Sequence, residues 1–185
     1  MRFRYLLAPL LFALTPHSFA AHDHEHQHSL GAHVHGVASL NIALEDQQLT
    51  MQLESPAMNI VGFEYTPSSA KDQQAVVDAE RTLKNEQLLF SLTSAAQCAL
   101  SSLTIENDLT EQHAEHDHSA DEEHQHSDIN VSYLFKCATP TKLRSIDFTG
   151  FFKAFPLTEK INVQLISAEA QQGTELTANN PLLSW

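Results

Sequence analysis

Basic side chains are scarce in this sequence: ten lysines and arginines stand against 23 aspartates and glutamates, a formal net charge of −13. Nucleic acids and anionic membrane surfaces select basic proteins, so neither is expected as a partner, and cations are favoured. Glycine is scarce too, at five residues, and no phosphate-binding glycine loop can be read. G-x-S-x-G does not occur, and the H-E-x-x-H match at His24-Glu25-His26-Gln27-His28 lies in a low-complexity histidine tract, not in a segment read as a helix. Glu115-His116 and Glu123-His124 lack the helix and the second histidine that a zincin needs. The chain is therefore expected not to be an enzyme. Three methionines, Met1 included, offer too few thioethers for copper(I).

Long apolar runs are also missing. The run at 5–14 is about ten residues, half of the roughly 20 that a membrane span needs. It follows Arg2 and Arg4 and precedes Ser18 and Ala20, which suit the small-residue rule for signal peptidase. Residues 1–20 thus read as a cleaved secretory signal, with an uncleaved anchor as the alternative. Ala21, not cysteine, follows the cut, which argues against a lipoprotein. No membrane insertion is expected after cleavage, and the mature chain is expected to be a monomer. Export implies an oxidising compartment, where two cysteines, Cys98 and Cys137, read as one disulfide. A pair of metal thiolates is the alternative.

Histidine is what the sequence has in excess. Of twelve, His17 falls in the leader, six lie in 22–35, His33 and His35 among them, and five lie in 113–126. His22, His24, His26 and His28 alternate with acids and glutamine in a segment, 21–32, expected to be disordered without metal. His113, His116, His118, His124 and His126 lie in an insert, 107–128, with eight acids and no lysine or arginine. Imidazole suits zinc, copper and nickel, and interspersed carboxylates lower the cost of bringing in a divalent cation. Charge alone would give a solvated linker, but it does not explain five histidines between 113 and 126. Zinc(II) is the expected ligand.

His33 and His35 stand apart, just before the first strand in Ala32-His33-Val34-His35-Gly36. In extended chain, residues i and i+2 point the same way and could chelate one ion. The alternative is a half-buried pair at a sheet edge. His124 and His126 precede a strand at the same spacing, with Ile129 five positions after His124 as Ala38 is after His33. Strands starting at one end of the fold would let four imidazoles converge on a tetrahedral zinc.

Between the tracts the pattern is that of one domain, 33–185, of α+β class: a mostly antiparallel sheet with one or two helices and one disulfide. Ala38, Leu40, Ile42 and Leu44 alternate, then Leu49, Met51 and Leu53, with Asp46-Gln47-Gln48 as a hairpin turn. Ser55-Pro56 reads as a helix cap followed by proline at the first helical position. Ser69 caps a helix to about Asn85 with Ala75, Val76, Ala79 and Leu83 as its stripe. Ile129, Val131, Tyr133 and Phe135 form a strand, and Ile161, Val163 and Leu165 begin a hairpin turning at Gly173. If Cys98 faces Cys137 across an antiparallel pair, Glu106 faces Ile129 and the histidine loop sits at the hairpin tip. A bulge at Ser101-Ser102 would bring Leu103 and Ile105 into phase with Leu100.

Ala32-His33-Val34-His35-Gly36, Leu53-Glu54-Ser55-Pro56-Ala57, Val61-Gly62-Phe63-Glu64, Tyr133-Leu134-Phe135-Lys136-Cys137, Phe155-Pro156 and Leu176-Thr177 together resemble the ZrgA-type zinc uptake proteins, periplasmic proteins of Gram-negative bacteria. The resemblance covers nearly the whole mature chain. It implies a soluble component of a zinc ABC importer system, with the transporter permease as partner and His33 and His35 in the family's motif. The family often carries a histidine after the Phe-Glu pair, where this chain has Tyr65. Whether the protein delivers metal or only buffers it, or handles nickel or cobalt without a transport partner, stays open at this level.

Overall fold

The computed structural model describes residues 33–110 and 127–185. The leader 1–20, the tract with His22, His24, His26 and His28, and the insert histidines His113, His116, His118, His124 and His126 lie outside the described residues. Strand β1 (Val37–Glu45) turns through Asp46-Gln47 into β2 (Gln48–Pro56), with Glu45 opposite Gln48. Asp46 has φ +51°, the left-handed backbone that a two-residue hairpin turn requires and aspartate tolerates. Helix α1 (Ala57–Val61) follows at once. Ser55 does not cap it: Ser55 is still in the ladder opposite Ile129, and Pro56 takes the cap position. The orphan N–H of Ala57 instead donates to the Ser127 carbonyl at 2.8 Å.

Helix α2 (Ala70–Leu83) is capped as expected, with Ser69 Oγ accepting the Asp72 N–H at 3.1 Å. Val76, Ala79 and Leu83 form its buried stripe. After α3 (Glu86–Leu89) and β3 (Ser91–Leu92), the hairpin of β4 (Cys98–Asn107) and β5 (Asp128–Cys137) carries the insert at its tip and the Cys98–Cys137 disulfide at its base. A bulge between Leu100 and Ser102 brings Leu103 and Ile105 against the core. By absorbing one residue it also moves the register: Asn107, not Glu106, faces Ile129.

The chain then forms β6 (Ser145–Asp147), α4 (Thr149–Ala154), β7 (Lys160–Ser167), β8 (Gln171–Thr177) and β9 (Leu182–Ser184). Six strands make one sheet in the order β4-β5-β2-β1-β7-β8, and β3-β6-β9 make a second. Every pairing is antiparallel except β1 with β7. The expected turn at Gly173 lies earlier: Ser167 Oγ accepts the N–H groups of Glu169 and Ala170, and Gly173 sits within β8 opposite Gln164. Among the described residues there are four α-helices where one or two were expected, because α1, α3 and α4 are too short to show a 3.6-residue period.

One face of the large sheet buries Leu40, Leu53, Val131, Tyr133 and Val163 beneath the helices, while Asn41, Gln52, Glu54 and Asn162 on the other face are exposed. Tyr133 is fully buried, stands edge-on to Phe90 at 5.1 Å, and donates its hydroxyl to the Leu83 carbonyl at 2.8 Å, completing the end of α2. Burial, reinforced by Glu86, pushes its phenol far above the usual range and keeps it neutral. Helix α4 presses on α3 through Gly150, where an added Cβ would lie 1.9 Å from the Leu88 carbonyl oxygen. The obstacle is backbone and cannot swing aside. Gly150→Ala is expected to cost about 3 kcal/mol, the upper end of overpacking penalties, read as a lowered urea midpoint. Among the described residues no helix is long and apolar enough to cross a membrane.

Candidate metal centre

Gly36 shapes the approach to β1. Its φ is +84°, and the Val37 N–H returns to the Val34 carbonyl at 3.0 Å, so His33-Val34-His35 curve over a turn that needs glycine at its third position. The turn is pinned from two sides. The buried Asn59 of α1 accepts the Gly36 N–H at 2.6 Å, and its amide donates to the Val37 carbonyl and Ser55 Oγ, both at 3.2 Å. From the start of β7, the N–H groups of Glu159 and Lys160 reach the Gly36 carbonyl at 2.8 and 2.9 Å. His33 and His35 thus share a direction because of a turn, not because of extended chain. Their ring centroids are 5.5 Å apart.

The third member comes from the other end of α1. Gly62, at φ +86°, closes that helix with its N–H on the Met58 carbonyl and sends the chain into Phe63-Glu64-Tyr65. Phe63 is buried and stacks on Tyr65 at 4.8 Å, while Ser127 Oγ donates to the Glu64 carbonyl at 3.0 Å. Held between them, Glu64 places Oε1 2.8 Å from His33 Nε2 and 3.1 Å from His35 Nε2. One donor atom from each residue lies within 4.8 Å of the others. His33 and Glu64 side chains are 12% and 13% exposed and His35 is 49% exposed, so the cluster is rooted in the fold and open on one side.

Two imidazole nitrogens and a carboxylate oxygen are the donor types zinc prefers, and three protein donors leave a fourth position for an exchangeable ligand. A second carboxylate stands behind the first ring: Asp128 Oδ1 is 2.8 Å from His33 Nδ1. Asp128 opens β5, and its N–H and carbonyl bond to Asp108 Oδ2 and the Asp108 N–H at 3.0 and 3.2 Å, closing the neck of the histidine insert. β1 and β5 both run antiparallel to β2 and so start at the same end of the sheet.

Glu64, Asp128 and Asn59 are the residues that reading the histidines alone passes over. Glu64 stood in the Gly62-Phe63-Glu64 motif, a signal of importance without a role, and Asp128 was one acid among the eight of the insert. A search of curated proteins finds no match. The family model for zinc uptake proteins of the ZrgA type matches residues 32–185. That span opens one residue before His33 and takes in Glu64, Asp128 and both sheets; the chain belongs to the ZrgA family of zinc uptake proteins.

Proposed function

We propose that the protein is a periplasmic carrier that captures Zn(II) at His33, His35 and Glu64 and supplies it to a zinc ABC importer. The observation that carries this reading is the convergence of one ligand atom each from His33, His35 and Glu64 within 4.8 Å on a braced turn, with Glu64 Oε1 2.8 and 3.1 Å from the two Nε2 atoms. A carrier must release its cargo, and a half-exposed third donor with an open fourth position suits exchange. The Cys98–Cys137 disulfide suits an oxidising compartment. The tracts with His22, His24, His26 and His28, and with His113, His116, His118, His124 and His126, act as multivalent collectors of zinc on the same chain. The neck of the second tract meets the centre through Asp128.

A hydrolytic zinc site shares the three-donor pattern but needs a base aimed at the metal-bound water. Here both carboxylates touching the rings are engaged, Glu64 as a donor and Asp128 on the far nitrogen of His33. Radioactive zinc uptake by cells in zinc-poor medium tests delivery. Removal of the protein is expected to lower the uptake rate, with recovery on re-expression. Unchanged uptake with altered metal tolerance would make the protein a buffer, or a nickel- or cobalt-handling protein, without a transport partner.

A further inference from the structure

A histidine that binds a cation through Nε2 must keep Nδ1 protonated, and the neutral ring has only one proton to place. What faces Nδ1 therefore decides whether the ring is ready to bind. At His33 the two nitrogens face different carboxylates: Nε2 faces Glu64 Oε1 inside the donor cluster, and Nδ1 faces Asp128 Oδ1 outside it, each at 2.8 Å. Asp128 cannot drift from this position. It is the first residue of β5, opposite Pro56 in the ladder, with its own N–H and carbonyl tied to Asp108. From these contacts we infer that Asp128 is a positioning residue of the centre: its carboxylate holds the His33 proton on Nδ1 and fixes the ring plane, so that the Nε2 lone pair points at the cation.

The inference rests on the zinc-carrier reading and gives that reading an element that no histidine supplies. An acceptor behind a ligating imidazole raises its basicity and removes the cost of choosing a tautomer when the ion arrives, and losing such a partner lowers metal affinity about 10- to 100-fold. The same residue closes the neck of the insert, so the strand that carries the collecting tract also orients the first ligand of the centre.

The test uses full-length mature protein carrying Asp128→Asn, with Asp128→Glu as the conservative variant. Zinc affinity is measured by competition with a chromophoric chelator. The His33 Nδ1 proton is read in the zinc-bound protein, where Nε2 is taken by the ion: a carboxylate acceptor moves its resonance downfield, a signature that a merely structural role would leave unmoved. Wild type is expected to show the downfield Nδ1–H resonance. Asp128→Asn is expected to lose that shift and weaken the tight site about 10- to 100-fold, with the thermal midpoint of the metal-free protein unchanged, since the bonds to Asp108 use Asp128 backbone. Asp128→Glu, which keeps a carboxylate acceptor, is expected to recover part of the affinity and of the shift. Wild-type affinity in Asp128→Asn, or no downfield Nδ1–H resonance in zinc-bound wild type, would overturn the inference. A His33→Ala, His35→Ala protein that binds as tightly as wild type would overturn the carrier reading itself, whatever Asp128 does.

Discussion

Replacing His33 and His35 together by alanine is expected to abolish the tight phase of zinc binding while leaving weaker, multivalent binding in place. Deleting residues 113–126 is expected to do the reverse, lowering the number of ions bound and sparing one tight ion. The difference lies in what has been ordered before the ion arrives. The His33–His35 turn is fixed by Gly36, by the two hydrogen bonds through which Asn59 accepts from Gly36 and donates to Val37, and by two backbone bonds from Glu159 and Lys160, so its donors are preorganised and little ordering remains to oppose binding. Losing the acceptor behind one ring already costs about 10- to 100-fold, so losing both rings should cost more than about 100-fold. Titration calorimetry on the two proteins reads affinity and stoichiometry together. A tight phase that survives the double substitution but vanishes with the deletion would move the primary site to the insert. Loss in both would mean that the centre and the insert contribute donors to one ion, an arrangement compatible with β1 and β5 starting at the same end of the sheet.

The second large effect concerns stability rather than binding. Cys98→Ser with Cys137→Ser removes a cross-link between residues 39 apart in sequence. In the chain-entropy model a loop of that size is worth ~4 kcal/mol, a large share of the 5–15 kcal/mol that holds a typical domain. The thermal midpoint is expected to fall by about 10 °C. Among the described residues β4 is an edge strand paired with β5, so the loss falls on the edge of the sheet. Tight zinc binding measured well below the new midpoint is expected to be unchanged. The bridge sits at the base of the hairpin, whereas Asp128 at the other end of β5 lies about 30 Å away by strand geometry. A midpoint within a degree or two of wild type would show that the closed loop adds little to this fold.

Much of this architecture was legible from residue order, and the gaps have physical causes. Alternation is a local signal, so β1, β2, β5 and β7 could be read directly, and the phase slip between Leu100 and Leu103 announced its bulge. The parallel pairing of β1 with β7 joins segments more than a hundred residues apart and leaves no local trace. The same divide runs through the centre. His33 and His35 are conspicuous because they are close in sequence and of one type, but Glu64 reaches them only through the fold: α1 holds the turn through Asn59, and the chain leaving α1 at Gly62 brings Glu64 against both rings. Asp128 was concealed for the opposite reason. It stands at the edge of an acidic segment, and composition cannot tell the one carboxylate that faces an imidazole inside the fold from those that serve the tract.

The neck formed by Asp108 and Asp128 separates two quantities that most metal proteins must trade against each other. Once the ends of a segment are fixed, lengthening it costs only the logarithm of its length, about 0.6 kcal/mol for each doubling. An insert twice as long could therefore carry twice the imidazoles at a stability cost at the low end of that of trimming one methyl group in the core. On the proposed carrier reading, the number of collecting imidazoles is a free variable of this sequence, set by the insert and independent of the sheet and the turn.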